Sequence, residues 1–150
     1  TVLAALTFHD VFTAGASRYG IGDLAALAAD THKFEARYLD RLVGRWPEDE
    51  AVYRERSPIH HVDRLSTPLL LLQGSEDAVV PPAQAHAMAD ALRDRGVPFA
   101  LIEFPDEGHG FRKAANVVRA VEAELAFFAD RFGFEPADDL PPLTVEGGGA

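Results

Sequence analysis

The chain has 150 residues, of which 47% are hydrophobic and 25% are charged, and its formal net charge is −10. This length fits one domain, and the composition is typical of a globular protein. The absence of cysteine excludes disulfides, thiolate metal sites and a cysteine nucleophile within these residues, and it suits a reducing compartment. The net negative charge disfavours nucleic acid as a binding partner, because phosphate binding needs clustered basic side chains. No apolar run is long enough to span a bilayer, so we expect no membrane partner, and the lack of cysteine suits the cytoplasmic location that we predict.

The first part of the chain predicts a helix end, a strand and a long excursion. Thr1 to Phe8 has the pattern of the back end of a helix, and Val11 to Ser17 is a predicted strand of small residues. The segment between Tyr19 and Pro58 is predicted to be partly helical. The start of the chain has no Met and none of the features of a signal peptide, so we expect a fragment or a processed chain.

The second part alternates between strands and helices. Four consecutive leucines, Leu69 to Leu72, lie between Pro68 and Gly74, as in a strand that is buried on both faces. A helix follows, with its apolar positions at helical spacing: Ala85, Met88, Ala89 and Leu92. Another apolar strand, "PFALIEF", leads into a last helix from Phe111 to Phe132. The predicted buried stripe of that helix is Ala114, Val117, Val118, Val121, Leu125 and Phe128.

This alternation predicts an α/β fold, with a mostly parallel sheet and flanking helices. Three strands make a thin sheet for this much apolar sequence, so we expect the sheet to continue in residues outside this chain. The domain is predicted to cover residues 1–134. Residues 135–150 are rich in Pro, Gly and acids and are predicted to form a flexible acidic tail.

Two loops in the second part carry residues suited to acid–base chemistry. Asp77 follows the leucine strand, and His109 follows the next strand in the stretch "PDEGHGF". Ligands of open parallel sheets bind at the carboxyl ends of the strands, where these loops would meet. A carboxylate that binds one imidazole nitrogen leaves the other nitrogen free to act as a general base. The alternative is structural, since Asp is common after strands as a turn residue and Gly-His-Gly can be an ordinary loop.

The stretches "SPIHHVDRLSTPLLLLQGSEDAVVPPAQAHAMADALRDRG" and "FPDEGHGF" resemble the C-terminal part of the α/β-hydrolase domain of prolyl oligopeptidase-family serine peptidases. Acylaminoacyl peptidases and bacterial dipeptidyl aminopeptidases are the most similar subgroup, and the resemblance extends over roughly Thr1 to Phe134. It implies a Ser-Asp-His triad in which Asp77 is the acid and His109 is the base.

The same resemblance implies a pocket for the side chain of the substrate residue before the cleaved bond. Ala16 and Tyr19 on one side, and Val79 and Val80 on the other, occupy the matching positions. The alternative for these four residues is simple packing. Their character predicts a mainly apolar pocket for an uncharged side chain.

The chain departs from the family in lacking the G-x-S-x-G motif that holds the nucleophile. Its candidate serines do not fit this motif: Ser17, Ser57, Ser66 and Ser75. The resemblance places the nucleophile and part of the oxyanion hole upstream of Thr1. We therefore expect this chain alone to be inactive and to work with the remainder of a longer polypeptide, which in peptidase relatives usually includes a β-propeller.

The remaining histidines suggest neither a metal nor a cofactor. His60 and His61 are adjacent and would point to opposite faces of a strand, and no ligand partners are visible in the sequence for three others: His9, His32 and His86. Two alternatives to a peptidase stay open. One is an esterase or dienelactone hydrolase, which shares parts of the motif pattern. The other is a non-catalytic hydrolase module that associates through its apolar faces, including as a homo-oligomer.

Overall fold

The computed structural model describes residues 1–30 and 37–147. Six α-helices, one 3-10 helix and three strands are assigned in this part of the chain. The strands are β1 (Gly15–Arg18), β2 (Leu69–Gly74) and β3 (Phe99–Phe104). The helices are α1 (Val2–Phe8), α2 (Leu24–Asp30), α3 (Tyr38–Leu42), α4 (Glu50–Arg56), α5 (Ala83–Asp94) and α6 (Ala114–Phe132), and the 3-10 helix is Pro58–Arg64. No helix among the described residues is long and apolar enough to cross a membrane.

The three strands form one parallel sheet in the order β1-β2-β3, as the alternation of elements predicts. Leu69 pairs with Gly15 on one side and with Phe99 on the other, so all three strands begin at the same level. Because the strands are parallel and in register, the loops that follow β2 and β3 emerge side by side at one edge of the sheet.

The leucines of β2 point alternately to the two faces of the sheet and nucleate a hydrophobic cluster on each. Leu69 and Leu71 belong to a cluster with side chains of α1 and α5, including Leu6 and Met88. Leu70 and Leu72 belong to the second cluster, with β3 and α6. Every residue of β2 is buried, as expected for a central strand with helices on both faces.

The predicted buried stripe of α6 is wrong. The helix buries a face made mainly of alanines, with Ala120, Ala123 and Phe127 completely covered. Val118 and Val121 of the predicted stripe are 55% and 52% exposed. Small side chains let the helix axis approach the sheet closely, and Phe127 fills the remaining volume beside Leu70 and Leu72. Ala114 is also exposed, whereas Phe128 does pack against the second cluster.

The segment predicted to be a flexible tail makes contacts with the domain. The backbones of Glu146 and Phe99 exchange two hydrogen bonds, of 2.9 and 2.7 Å, in an isolated antiparallel bridge. Leu143 and Val145 pack against the second cluster, and the carboxylate of Glu146 pairs with Arg93. Residues 148–150 lie outside the described part of the chain. The boundary at residue 134 and the flexibility of the tail stay predictions.

The buried and exposed faces of α6 predict different losses of stability when a side chain is truncated to alanine. Phe127→Ala should lower the free energy of unfolding by about 3–5 kcal/mol, because it empties a filled position beside β2. Val118→Ala on the same helix should change it by no more than about 0.5 kcal/mol, because the side chain is mostly in solvent. Urea denaturation followed by circular dichroism measures both. Equal losses for the two variants would contradict the observed orientation of the helix.

Candidate functional site

The loops after β2 and β3 bring an aspartate and a histidine into contact. Oδ2 of Asp77 lies 2.9 Å from Nδ1 of His109, although the two residues are 32 positions apart. The side chain of Asp77 is completely buried, whereas that of His109 is 40% exposed. The predicted contact at the carboxyl edge of the sheet is therefore present in the structure.

The carboxylate of Asp77 is oriented by its own loop. Its Oδ1 accepts backbone hydrogen bonds from Val79, at 2.9 Å, and from Val80, at 2.8 Å. These bonds close the loop over the carboxylate and leave Oδ2 for the imidazole. Gln73, a buried amide on β2, also points its Nε2 at Oδ2 from 3.4 Å and donates to the carbonyl oxygen of Val80 at 3.0 Å.

An ionised carboxylate can only accept hydrogen bonds, so the contact requires a proton on Nδ1 of His109. In the neutral imidazole, Nε2 then carries a lone pair. The pair of residues thus places a ring nitrogen that can accept a proton on a side chain that is partly open to solvent.

A buried glutamate holds the loop that carries His109. The carboxylate of Glu107 accepts hydrogen bonds from the backbone amides of Arg112, at 3.0 Å, and Lys113, at 2.9 Å, and from Nδ2 of Asn116, at 2.9 Å. The hydrogen bond from Asn116 is the largest cause that lowers the pKa of Glu107, and the two amides add to it. The ionised carboxylate therefore ties the loop to the first turn of α6.

The two loops also touch through their backbones at Gly74, the last residue of β2. A Cβ atom at this position would lie 2.4 Å from the carbonyl oxygen of Glu107 and 2.5 Å from that of Gly108. The amide of Glu76 donates to the same Glu107 oxygen at 2.9 Å. Only glycine permits this approach, so Gly74 sets how close His109 can come to Asp77.

An apolar cavity of 580 Å³ opens beside His109. Tyr19, Val79 and Val80 line it, together with apolar and aromatic residues of α2 and α3 such as Leu27. Apart from His109, the lining residues within the described part of the chain are aliphatic side chains and two tyrosines. Three of the four predicted pocket residues therefore lie around one cavity that includes the histidine.

Ala16 is the exception among the predicted pocket residues. It lies within β1 and packs against the cluster formed with α6, on the far side from α1 and α5. It does not line this cavity, and its predicted place in the substrate pocket stays a prediction. Tyr19 lies beyond the end of the strand with a φ of +45°, and this turn carries its side chain towards the histidine.

The other histidines lie in separate surroundings. His86 contacts the carboxylate of Glu103 at 2.8 Å, and Nε2 of His61 lies 2.9 Å from the carbonyl oxygen of Glu55. His60 and His61 occupy the 3-10 helix rather than a strand, and His32 lies outside the described residues. Within residues 1–30 and 37–147, no three potential ligands are grouped closely enough to hold a metal ion. The absence of a metal or cofactor in function stays a prediction.

Sequence reasoning missed three residues that shape the site: Gln73, Gly74 and Glu107. A polar residue at the end of a leucine strand was the available signal for Gln73. An acid a few residues before a predicted helix was the signal for Glu107, since carboxylates favour helix N-termini. Gly74 could be identified only as a strand end, because the approach of the second loop is a tertiary contact.

Comparison with known proteins shows the same fold in longer chains. A puromycin-hydrolyzing peptidase of Mycobacterium tuberculosis superposes with a TM-score of 0.91 at 50% identity, over 96% of this chain and 22% of that structure. The acylaminoacyl peptidase of Pyrococcus horikoshii superposes with a TM-score of 0.77 at 24% identity, over 90% of this chain and 22% of that structure, which supports the fold alone. Dipeptidyl aminopeptidase BIII of Pseudoxanthomonas mexicana is 32% identical over 76% of this chain and 17% of its own length. The chain thus spans about a fifth of the length of these proteins.

The parallel sheet, its flanking helices and these structural neighbours define an α/β hydrolase, as the resemblance predicts. The model of the prolyl oligopeptidase family matches residues 1–135, and the chain belongs to that family. The homologues are serine hydrolases. Esterase LipQ of Mycobacterium tuberculosis is also similar, with 33% identity over 74% of this chain and 27% of its own length.

Substitution of Gly74 should separate the two loops. Gly74→Ala places a methyl group against two carbonyl oxygens, so we expect the Asp77–His109 distance to lengthen beyond hydrogen-bonding range and the thermal midpoint to fall. Gly108→Ala is the matched control, because a Cβ there would meet its nearest neighbour, the oxygen of Glu76, only at 3.8 Å. Crystal structures and melting curves of both variants provide the measurement. An unchanged distance in Gly74→Ala would refute the role given to this contact.

Proposed function

We propose that the chain supplies the acid and the base of a Ser-Asp-His triad that cleaves peptide or acylaminoacyl bonds. The observation that carries the proposal is the 2.9 Å contact between buried Asp77 and partly exposed His109 beside an apolar cavity. Membership of the prolyl oligopeptidase family supports it. The chain carries no G-x-S-x-G motif, so the serine nucleophile belongs to residues outside this sequence.

In this mechanism His109 moves a proton in each half of the reaction. Nε2 accepts the proton of the serine hydroxyl as the oxygen attacks the carbonyl carbon, and it returns a proton to the leaving amine. Asp77 keeps Nδ1 protonated and stabilises the imidazolium that forms in between. Water repeats the sequence on the acyl-enzyme, with His109 again accepting and then returning the proton.

Serines within the chain are poor candidates for the nucleophile because most have structural roles. Ser57 is completely buried, where its hydroxyl donates to the carbonyl oxygen of Tyr53 and accepts from the amide of Leu24. Ser17 is buried within β1, and Oγ of Ser75 accepts from the amide of Asp106. Ser66 lies before β2, near the start of the sheet and away from the carboxyl edge that carries His109.

Peptide and amide substrates are favoured over esters by the similarity to solved structures. The relatives at 50% and 43% identity are a puromycin-hydrolyzing peptidase and a puromycin hydrolase variant solved in complex with PGG. The esterase alternative rests on Esterase LipQ, at 33% identity. The partners we propose are a peptide or acylated peptide as substrate and the remainder of a longer polypeptide. A β-propeller in that polypeptide and a homo-oligomer are further proposals.

A fluorophosphonate probe tests for an activated serine. We expect no labelling of the purified 150-residue chain, since triad members act as a unit and removal of one forfeits most of the rate. A polypeptide extended upstream should label strongly at a serine before Thr1, and His109→Ala in that polypeptide should abolish the labelling. Asparagine has nearly the shape of aspartate without its charge, and Asp77→Asn should reduce the labelling rate by about 10³-fold or more. Labelling of the short chain at Ser17, Ser57, Ser66 or Ser75, lost in His109→Ala, would contradict the proposal.

The cavity gives a prediction of substrate preference. Its described lining residues include no carboxylate, so a Lys or Arg side chain would find no charged partner among them. We expect the extended polypeptide to cleave Phe and Leu chromogenic aminoacyl substrates with a kcat/KM at least about tenfold above that for Lys and Arg substrates. This factor corresponds to a difference of about 1.4 kcal/mol. Val80→Asp should narrow or reverse the difference. A clear preference of the unmodified enzyme for Lys or Arg would show that the cavity is not the pocket.

A further inference from the structure

Tyr19 occupies a constrained position at the end of β1. Its backbone amide donates to the carbonyl oxygen of Leu72 at 2.8 Å, which extends the pairing with β2 by one residue. Its φ of +45° lies in the left-handed region, which is uncommon for a bulky aromatic residue. The sheet and this turn together determine the direction in which the side chain leaves the backbone.

The ring of Tyr19 lies between the imidazole and a group of phenylalanines. Its centroid is 4.8 Å from that of His109, with an angle of 54° between the planes. It is also 5.3 Å from the ring of Phe111, which in turn lies 4.4 Å from the ring of Phe104. Phe104 is 2% exposed and belongs to the cluster under α6. The position of the tyrosine ring is thus fixed from the core of the protein.

The hydrogen bond to Asp77 does not by itself fix the imidazole of His109. The covalent bond at Cγ and the contact at Nδ1 hold two adjacent atoms of the ring, and the ring plane can still pivot about the line that joins them. With 40% of its side chain exposed, His109 has room for such movement. A rigid aromatic ring at contact distance restricts the pivot, because aromatic pairs have preferred offset or tilted geometries.

We propose that Tyr19 is a positioning residue for His109, whose ring fixes the imidazole plane and therefore the direction of the Nε2 lone pair. This role rests on the proposed function, because the direction of the Nε2 lone pair matters only if this nitrogen accepts a proton. It goes beyond a role as pocket wall. The same ring lines the apolar cavity, so one side chain contacts both the base and the space for the substrate side chain.

Two substitutions separate the ring from the backbone turn. Tyr19→Phe keeps the ring and removes only the hydroxyl. Tyr19→Asn removes the ring but suits the left-handed backbone, where asparagine is enriched. Val79→Ala is the matched control, since it removes another wall residue of the cavity, one that is 42% exposed.

The first readout is the imidazole itself, observed by nitrogen–proton NMR correlations in the 150-residue chain. We expect wild type, Tyr19→Phe and Val79→Ala to show His109 with its proton on Nδ1 and a low-field resonance for that proton. Tyr19→Asn should show averaged nitrogen shifts and loss of the low-field resonance. The same locked pattern in Tyr19→Asn as in wild type would overturn the proposal.

Two further measurements keep the test independent of folding and of activity. If Tyr19→Asn does not fold, the test is whether wild type shows nuclear Overhauser contacts between the rings of Tyr19 and His109. Their absence would overturn the proposal. In an active extended polypeptide, Tyr19→Asn should lower kcat by up to about 10²-fold while Tyr19→Phe restores it, and Val79→Ala should act mainly on KM. A change confined to KM in Tyr19→Asn would mean a pocket wall only. An absence of hydrolysis would refute the proposed function but leave the NMR result intact.

Discussion

The contact on which the site depends is the passage of one backbone over another at Gly74. The carbonyl oxygens of Glu107 and Gly108 occupy space that any side chain on Gly74 would need. This approach brings the histidine loop against the end of the central strand, and the amide of Glu76 then binds the same Glu107 oxygen. The distance between Asp77 and His109 is thus a consequence of how two strands end, because neither side chain is long enough to compensate for a wider gap.

Two different devices keep the loops in place on either side of this contact. The aspartate loop is closed from within, by amides that bind its own carboxylate. The histidine loop is held from outside, by Glu107 and its three donors at the start of α6. Since α6 packs on the sheet through Ala120 and Phe127, the position of the histidine depends on the same core that covers β2. Stability and site geometry are therefore coupled through one helix.

The parts of the fold and of the candidate site that depend on local sequence patterns could be predicted from the sequence. The leucine run of β2, flanked by Pro68 and Gly74, identified the central strand, and the strand–helix alternation gave the parallel order. The contact between Asp77 and His109 followed from their places after neighbouring strands. The buried face of α6 could not be predicted in this way, because both faces of that helix are apolar and the alanine face is chosen by closeness to the sheet. The turn at Tyr19 could not be predicted either, since it depends on a left-handed backbone that no pattern of hydrophobicity records.

The bridge between Phe99 and Glu146 makes the two sides of the sheet unequal. The outer edge of β3 is occupied at its first residue by a segment of the same chain, and the ion pair between Glu146 and Arg93 fastens that segment. In the described part of the chain, no strand lies beyond β1. An incoming strand therefore meets an obstruction where β3 begins, and no such bridge is present at β1 among the described residues. Pairing of exposed strand edges is a common route to aggregation in open sheets. Here that pairing is obstructed at the start of β3, so we expect an added strand to pair more readily with β1.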